Sequence, residues 1–142
     1  MDEESRRTAM LTEVESAYLE SQPLGRLATV GPDGAPQARP VGFFYDRATG
    51  TIDIGGYSMG RTQKFRNVKA DGRFSFVVDD LASVDPWRPR GIEIRGHAEA
   101  LTDQEPHNPA LSREIIRLHP ERVLSWSLDP DVEGMQARSV NA

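Results

Sequence analysis

One short segment of the sequence, GGYSMGRTQKFRN, concentrates residues that could bind an anion. It carries paired glycines, hydroxyls and cations, namely Gly55, Gly56, Ser58, Arg61, Thr62 and Lys64. Paired glycines at a strand end let a ligand approach the backbone closely, and a helix N-terminus adds amide donors. Arg61 and Lys64 are three residues apart, so on one helix they would share a face and could clamp a phosphate. The alternative is a basic helix face in solvent, and spacing alone favours neither.

Two other positions could belong to a ligand site. Arg39 lies in a stretch otherwise rich in Pro, Val, Gly and Phe. Aimed at the mouth of a barrel it would complete a phosphate site, whereas on the outer face it would extend into solvent. Trp87 lies between prolines with Arg88 and Arg90 beside it, which offers an aromatic surface flanked by cations. That loop could line a substrate pocket, form a subunit contact or cover the end of the barrel. Trp126, in the last predicted strand, is expected in the core.

The usual signatures of catalytic and metal sites are missing from the sequence. His97, His107 and His119 are scattered and form no close metal-ligand pair, so solvated or structural roles are expected for them. The sequence has no cysteine, no GxSxG elbow and no glycine-rich phosphate loop. Asp79 and Asp80 are expected to end a strand rather than to act as a carboxylate pair. We therefore predict neither a catalytic acid–base residue nor a metal site.

Length and charge narrow the class of protein. The chain has 142 residues, in the range of one domain, and 17 Lys+Arg against 22 Asp+Glu give a net charge of -5. An acidic surplus disfavours a nucleic-acid or anionic-membrane binder. No apolar run approaches the length of a membrane span, and the start MDEESRR is unlike a secretory signal, so a cytoplasmic protein is expected.

Hydrophobic periodicity predicts the helices and strands that position these residues. Amphipathic helices are predicted at residues 8–20, 59–68 and 110–118. Alternation and turn residues predict strands over the ranges Gly25–Val30, 37–45, Thr51–Ile54, 73–79, 91–101 and 122–128. The first three strands indicate an antiparallel meander, and the polar tail 129–142 is expected to fray. We predict a single domain, 1–142, that is mainly β: a six-stranded antiparallel barrel with flanking helices.

Several of these motifs together resemble the pyridoxamine-phosphate-oxidase-like, split β-barrel family of flavin and deazaflavin proteins. The similarity runs through LGRLATVGPDGAPQARPVGF, TIDIGG, GRTQKFRNVKADGRFSFVVDD and RGIEIRGHAEAL to LHPERVLSW. The blocks DDLASVDPWRPRGIEIRG and HPERVLSW are most similar to the actinobacterial branch that uses coenzyme F420. Some members of that branch reduce a conjugated double bond in the assembly of tetracycline-type antibiotics. The resemblance implies a six-stranded split β-barrel of the FMN-binding type.

The resemblance also implies roles for individual residues. Arg39 and Lys64 match the family's phosphate-binding arginine and lysine. Arg90 begins the strand whose start approaches the cofactor ring, in many relatives from the second subunit. Further cofactor contacts are implied at Gly55, Gly56, Ser58, Arg61 and Thr62. Two positions depart from the FMN-binding oxidases, because Phe44 stands in place of a lysine and Gln63 in place of an arginine.

The function that the resemblance implies is a homodimeric, F420-dependent oxidoreductase with its cofactor cleft at the subunit interface. A hydride would pass from reduced deazaflavin to an electron-poor C=C or C=N bond of a small planar substrate near Trp87 and Tyr57. The proton would come from solvent or from a tyrosine such as Tyr57. Few catalytic side chains are needed, since the cofactor supplies the reactive atom. Two alternatives keep the fold: an FMN-binding oxidase or flavin reductase, and a non-enzymatic carrier of the cofactor.

Overall fold

A computed structural model describes residues 11–140 of the chain, beginning with one helix. This helix, α1, spans Glu13–Ser21. The Thr12 hydroxyl accepts from the Glu15 N–H at 3.2 Å, and the Glu15 carboxylate accepts from the Thr12 N–H at 2.9 Å. This capping box satisfies two amides that would otherwise lack partners, so the helix starts at Glu13 rather than at residue 8. Positions 8–10 of the predicted helix lie outside the described residues.

Within residues 11–140, eight strands follow α1, where six were predicted. They are β1 (Gly25–Val30), β2 (Pro36–Val41), β3 (Phe44–Asp46), β4 (Thr51–Ile54), β5 (Arg73–Ser83), β6 (Arg88–Leu101), β7 (Ile115–Trp126) and β8 (Met135–Ser139). Between β4 and β5, a 3-10 turn (Met59–Arg61) leads into the second helix, α2 (Gln63–Ala70), so the helix predicted at 59–68 is confirmed from residue 63 onward. Neither helix in residues 11–140 is long and apolar enough to cross a membrane.

The eight strands form one antiparallel sheet that closes on itself. Its order is β2-β1-β5-β6-β7-β4-β3, and β8 pairs with the second half of β7. β2 and β3 lie at opposite ends of this order, yet only Gly42 and Phe43 separate them in the chain. Three Cα–Cα steps span at most about 11 Å, so the two ends of the sheet must curl toward each other. The fold is therefore a split β-barrel, and the barrel prediction is confirmed.

Alternation along the strands fills the barrel with apolar side chains. On β5, Phe74, Phe76 and Val78 are buried, while the residues between them are more exposed. Ile94 and Ile92 lie directly opposite Phe76 and Val78 on β6 and are also buried. Both helices add buried apolar residues to this core. Because the interior is packed, binding sites are expected at the barrel mouth or on its outer surface.

The helix predicted at 110–118 is wrong. Its second half opens β7, which pairs with β6 from Ile115 to Trp126. A short apolar run such as Ile115, Ile116 and Leu118 fits both periods, and β-branched residues favour the strand once a partner strand lies beside them. The strand predicted at 122–128 is the second half of this same β7.

Three other local predictions are also corrected by long-range pairing. The strand predicted at 37–45 breaks into β2 and β3, so the three-strand meander does not form. The tail 129–142 contains β8, and Arg138 on β8 forms an ion pair with the buried carboxylate of Glu15, which attaches this strand to α1. The irregular loop expected around Trp87 is mostly strand, because β5 and β6 leave only four residues between them.

Candidate functional site

Arg39 lies on the side of β2 that faces the barrel core. In the pairing of β1 with β2, Arg39 is directly opposite Leu27, which is buried. Residues directly opposite each other in an antiparallel pair have their side chains on the same face of the sheet. Arg39 nevertheless stays exposed, because β2 is at the end of the strand order. The register therefore favours the placement at the barrel mouth over the placement on the outer face.

Lys64 lies beside Arg39, and we call these two residues the cation pair. Lys64 is partly buried in the first turn of α2. Burial lowers the pKa of Lys64, and the nearby Arg39 guanidinium lowers it further, so the two charges are close enough to repel. Among the ion pairs of residues 11–140, none involves Arg39, Arg61 or Lys64. Two adjacent unmatched cations provide the electrostatics needed to bind an anion such as phosphate.

A buried amide network fixes α2 against the strands that flank the cation pair. Asn67 Nδ2 donates to Thr29 Oγ1 on β1 at 3.0 Å and to Gln37 Oε1 on β2 at 2.9 Å. Gln63 Nε2 donates to Asn67 Oδ1 at 2.8 Å, and Arg66 donates to Gln63 Oε1 at 2.8 Å. Asn67 is buried, so these bonds satisfy an amide that water does not reach. The cation pair is thus held in place before a ligand arrives, which lowers the entropic cost of binding.

The glycine turn before α2 is braced by the segment that precedes β7. The Gly60 N–H donates to Glu114 Oε1 at 3.1 Å. A Cβ on Gly55 would lie 2.9 Å from Leu111 Cδ1, the end of a flexible side chain, so an alanine here would require Leu111 to shift. A Cβ on Gly56 would meet only ordinary contacts. The cofactor contacts expected at Gly55 and Gly56 stay predictions.

The polar residues of this turn differ in what they leave free for a ligand. The Thr62 hydroxyl caps α2 by accepting from the Phe65 N–H, and it donates to the Met59 carbonyl at 2.7 Å, so it is already occupied. Thr62 is extended, which places Arg61 in the 3-10 turn and Lys64 in α2. The shared helix face predicted for Arg61 and Lys64 is therefore wrong. Arg61, like Ser58, is exposed at the surface of the turn.

Arg90 already has a matched charge. Its guanidinium forms a two-point ion pair with Asp80 at 2.8 and 3.1 Å and lies 5.1 Å from the centre of the Tyr18 ring. Burial, followed by a 2.7 Å hydrogen bond to Asp80, raises the pKa of Tyr18. Following the strand pairing from Arg39 on β2 through β1 and β5 leads to Ile94 on β6, three strands away. Arg90 lies four residues before Ile94 on β6. Measured along the curled sheet, that separation is about 14 Å across the strands and about 13 Å along them. The cofactor contact expected at Arg90 stays a prediction.

The two predicted substrate residues lie at opposite ends of β6. Trp87 is 67% exposed in the turn before β6 and lines a cavity of about 640 Å³ together with Trp126. Trp126 is therefore part of a cavity wall, and the core position predicted for it is wrong. Tyr57 is 81% exposed and lies three residues after Ile54, the last residue of β4. Ile54 pairs with Ile116 on β7, and Ile116 pairs with Ala100 near the end of β6. One chain does not bring Trp87 and Tyr57 to the same pocket.

A charged cluster on the outer face of the barrel was not predicted from the sequence. Asp53 accepts from Arg117 at 2.8 and 3.0 Å and from His107 Nε2 at 2.8 Å. Burial would raise the pKa of Asp53, but the bonds from Arg117 and His107 outweigh it and lower the pKa. The one local signal is a charged residue between Ile52 and Ile54 in a strand, and its partners are 54 and 64 positions away. Within residues 11–140, no group of three or more potential ligand residues could hold a metal ion.

Fold and site together define a split-barrel protein with an unmatched cation pair at its mouth. The family model of pyridoxamine 5'-phosphate oxidase matches residues 11–140, and the chain belongs to this family. The resemblance inferred from the sequence is confirmed. The family binds flavin-type cofactors. Arg39 and Lys64 fit the phosphate of such a cofactor, because no carboxylate of the described chain neutralises them.

Three relatives show the extent of the likeness. The chain is 44% identical over 133 residues to the 5a,11a-dehydrotetracycline/5a,11a-dehydrooxytetracycline reductase of Streptomyces rimosus, covering 92% of this chain and 94% of that protein. A solved structure described as an F420 reductase is 27% identical with a TM-score of 0.60, covering 80% of this chain and 98% of its own. A conserved hypothetical protein from Mycobacterium tuberculosis shares the fold, with a TM-score of 0.66 at 22% identity and coverage of 95% and 97%.

Proposed function

We propose that this oxidoreductase binds coenzyme F420 and transfers a hydride from its reduced form to an electron-poor C=C or C=N bond of a small planar substrate. The observation that carries the proposal is the cation pair, in which Arg39 and Lys64 repel each other until an anion neutralises them. The reductase of Streptomyces rimosus, similar over nearly the whole chain, supports reduction as the reaction. The F420 reductase with the same fold supports the cofactor.

Two positions favour the deazaflavin over FMN. Phe44 and Gln63 stand where the FMN-binding oxidases carry a lysine and an arginine. Here Phe44 stacks on His107 with ring centres 4.4 Å apart, and Gln63 belongs to the amide network of α2. Both side chains are uncharged and engaged within the protein, so this chain lacks two of the cations that the FMN-binding oxidases carry.

The chain's own residues bind and orient the reactants. When bound, the cofactor supplies the hydride. Arg39 and Lys64 anchor its phosphate, and the Asn67 network keeps both side chains at a fixed spacing. Fixed positions for both reactants convert binding energy into a lower barrier, so no nucleophile is required. This agrees with the absence of a nucleophile motif from the sequence.

A second copy of the chain completes the site in this proposal. Trp87 and Arg90 lie at the start of β6, while the cation pair lies three strands away at the barrel mouth. An aromatic surface can reach a ring bound near the cation pair if the partner subunit's Trp87 supplies it. The expected assembly is a homodimer, and size-exclusion chromatography with light scattering measures it.

Titration of the purified apo-protein with F420, and separately with FMN, tests the proposal. Trp87 and Trp126 are the two tryptophans, and both line the cavity at the start of β6, so intrinsic fluorescence reports on that region. We expect tight binding of F420, weaker binding of FMN, and turnover of an acceptor with reduced F420. Preference for FMN would move the protein to the oxidase alternative. Tight F420 binding without reduction of any acceptor would favour the carrier, and binding of neither cofactor would refute the function.

A further inference from the structure

A cleft of about 1230 Å³ on the outer face of the barrel contains a carboxylate–imidazole pair. Asp53 on β4 and Arg117 on β7 face into it, and His107 comes from the β6–β7 loop (residues 102–114). Asp53 uses both carboxylate oxygens, since Arg117 donates to each of them and His107 Nε2 donates to Oδ2. The Asp53 side chain is only 8% exposed, whereas that of His107 is 41% exposed. A buried carboxylate thus orients an imidazole that solvent or a ligand can reach.

The ring of His107 is held on its flat side as well. Phe44 on β3 stacks against it with ring centres 4.4 Å apart and an angle of 13° between the planes. Because Nε2 is engaged by Asp53, Nδ1 is the ring nitrogen left to meet a ligand. A carboxylate that fixes the ring and stabilises its charged form is the arrangement used for proton transfer by histidine.

The β6–β7 loop also connects this cleft with the proposed cofactor site. The Ser112 N–H donates to the Gly56 carbonyl at 2.9 Å, and Glu114 Oε1 accepts from Gly60 in the turn before α2. Along the chain, Phe44 is five residues after Arg39, so the two Cα atoms lie at most about 19 Å apart. The same loop that carries His107 therefore braces the turn that leads to Lys64. A ligand that follows the chain from Arg39 to Phe44 would reach the ring that stacks on the His107 imidazole.

We infer that His107, positioned by Asp53, donates the proton that completes reduction of the substrate. This inference rests on the proposed function. When bound, the reduced cofactor would supply the hydride for the β-carbon of a conjugated C=C–C=O group, whose π electrons would move to the carbonyl oxygen. A proton then passes from Nδ1 of the protonated imidazole to the α-carbon, leaving a neutral ring that solvent reprotonates. Overall, the substrate gains one hydride and one proton, and the cofactor is oxidised by two electrons.

Two paired variants test this role. His107→Gln removes the proton donor, and His119→Gln is its matched control, because His119 lines the same cleft, is 40% exposed and bonds to Glu99. With reduced F420 as cofactor, we expect kcat of His107→Gln to fall about 100-fold or more, and F420 affinity to stay unchanged. Added imidazole should restore part of the activity of His107→Ala. His119→Gln should keep the wild-type kcat.

The pH dependence separates a proton donor from a purely structural histidine. Donation requires a protonated donor, so kcat of the wild type should fall as pH rises, and this dependence should disappear in His107→Gln. The other titratable or charged groups that line this cleft are Glu20, Tyr45, Asp46, Arg47, Asp53, Glu105, Arg117 and His119. His119 is the other imidazole of this set, so His119→Gln must retain the fall of kcat with pH.

A binding measurement makes the test independent of turnover. Oxytetracycline serves as the planar phenolic probe, and imidazole NMR signals of His107 are assigned by their loss in His107→Gln. The inference predicts that oxytetracycline shifts these signals in the wild type. It is overturned if the probe binds without shifting them, or if His107→Gln keeps the wild-type kcat and pH profile. If the wild type neither binds F420 nor reduces an acceptor, the proposed function fails and the inference fails with it.

Discussion

Replacing Lys64 with Met should weaken cofactor binding without weakening the fold. Met has nearly the same helix propensity as Lys, so α2 keeps its intrinsic stability. Lys64 lies beside Arg39 with no carboxylate partner within residues 11–140, so the substitution removes one of two unmatched cations. Lys69 is on the same helix but exposed in its last turn, which makes Lys69→Met the matched control.

The size of the binding loss follows from the bond that is removed. A hydrogen bond between an ammonium group and a phosphate oxygen contributes about 1.5–3 kcal/mol, because both the donor and the acceptor are charged. Each 1.4 kcal/mol is about a factor of ten in Kd, so Kd for F420 should rise about 10- to 150-fold in Lys64→Met. Lys69→Met should leave Kd unchanged within a factor of about two.

The stability of the apo-protein should change in the opposite direction. Burial and the Arg39 charge lower the pKa of Lys64 in the folded state below its ordinary value of 10.5. The unfolded chain therefore binds more protons than the folded chain between those two pKa values, and stability rises with pH through that window. At neutral pH the charged lysine opposes folding. Lys64→Met should thus leave the free energy of unfolding unchanged or slightly higher, within about 0.5 kcal/mol.

Fluorescence titration and urea unfolding of the same samples decide the matter. A structural lysine would show the reverse pattern, with stability lost in Lys64→Met and cofactor affinity retained. That result, or an equal loss of affinity in Lys69→Met, would refute the assignment of the cation pair to the phosphate.

Three further outcomes are expected from the fold. Asn67→Ala should lower the free energy of unfolding by about 1–3 kcal/mol in urea, because it leaves two hydrogen-bonding partners on β1 and β2 unsatisfied. Burial alone would raise the pKa of Glu15, but hydrogen bonds from Arg138 and Thr12 lower it below 4.5. The ionised carboxylate therefore stabilises the fold above pH 4.5, and this contribution is lost as pH falls further. Thermal unfolding of Glu15→Gln should accordingly depend less on pH in that range. Gly96→Ala would place a Cβ 2.1 Å from the His119 carbonyl oxygen and should cost about 1–3 kcal/mol or more.

Each of these outcomes has an internal check. Gly42→Ala is the control for Gly96→Ala, since a Cβ on Gly42 meets no atom within 4 Å. Equal stability of the two alanine variants would show that the close approach at Gly96 is relieved without cost. For Asn67, the check is Asn67→Asp, since wild-type stability of that variant would mean that the amide donors are dispensable. For Glu15, thermal unfolding of Glu15→Gln that depends on acidic pH as strongly as the wild type does would contradict the prediction.

Several elements of the fold are predicted correctly from local sequence patterns. The alternation of Phe74, Phe76 and Val78 predicts one face of β5 in the core, and the structure buries all three. The helix at 59–68 is predicted from its own pattern and is capped by Thr62, the residue directly before α2. These elements are recognisable because their periodicity and caps depend on residues a few positions apart. The resemblance to the family rests on such short blocks and is confirmed by the family match.

Secondary structure that depends on pairing between distant segments is not predicted correctly from local sequence. Ile115 and Ile116 fit a helix or a strand equally, and only the pairing with β6 selects the strand. β8 looks like a polar tail until Arg138 meets the carboxylate of Glu15, 123 positions away.

The candidate site divides in the same way. The sequence by itself determines that Arg39 and Lys64 are cations within apolar or helical segments, and the resemblance relates them to a phosphate. Tertiary structure decides that Arg39 faces the barrel mouth, because the register sets it opposite buried Leu27. It also assembles Asp53 and His107 from segments 54 positions apart. Contacts between distant segments depend on how the whole sheet curls and pairs, and no local pattern of residues encodes that geometry.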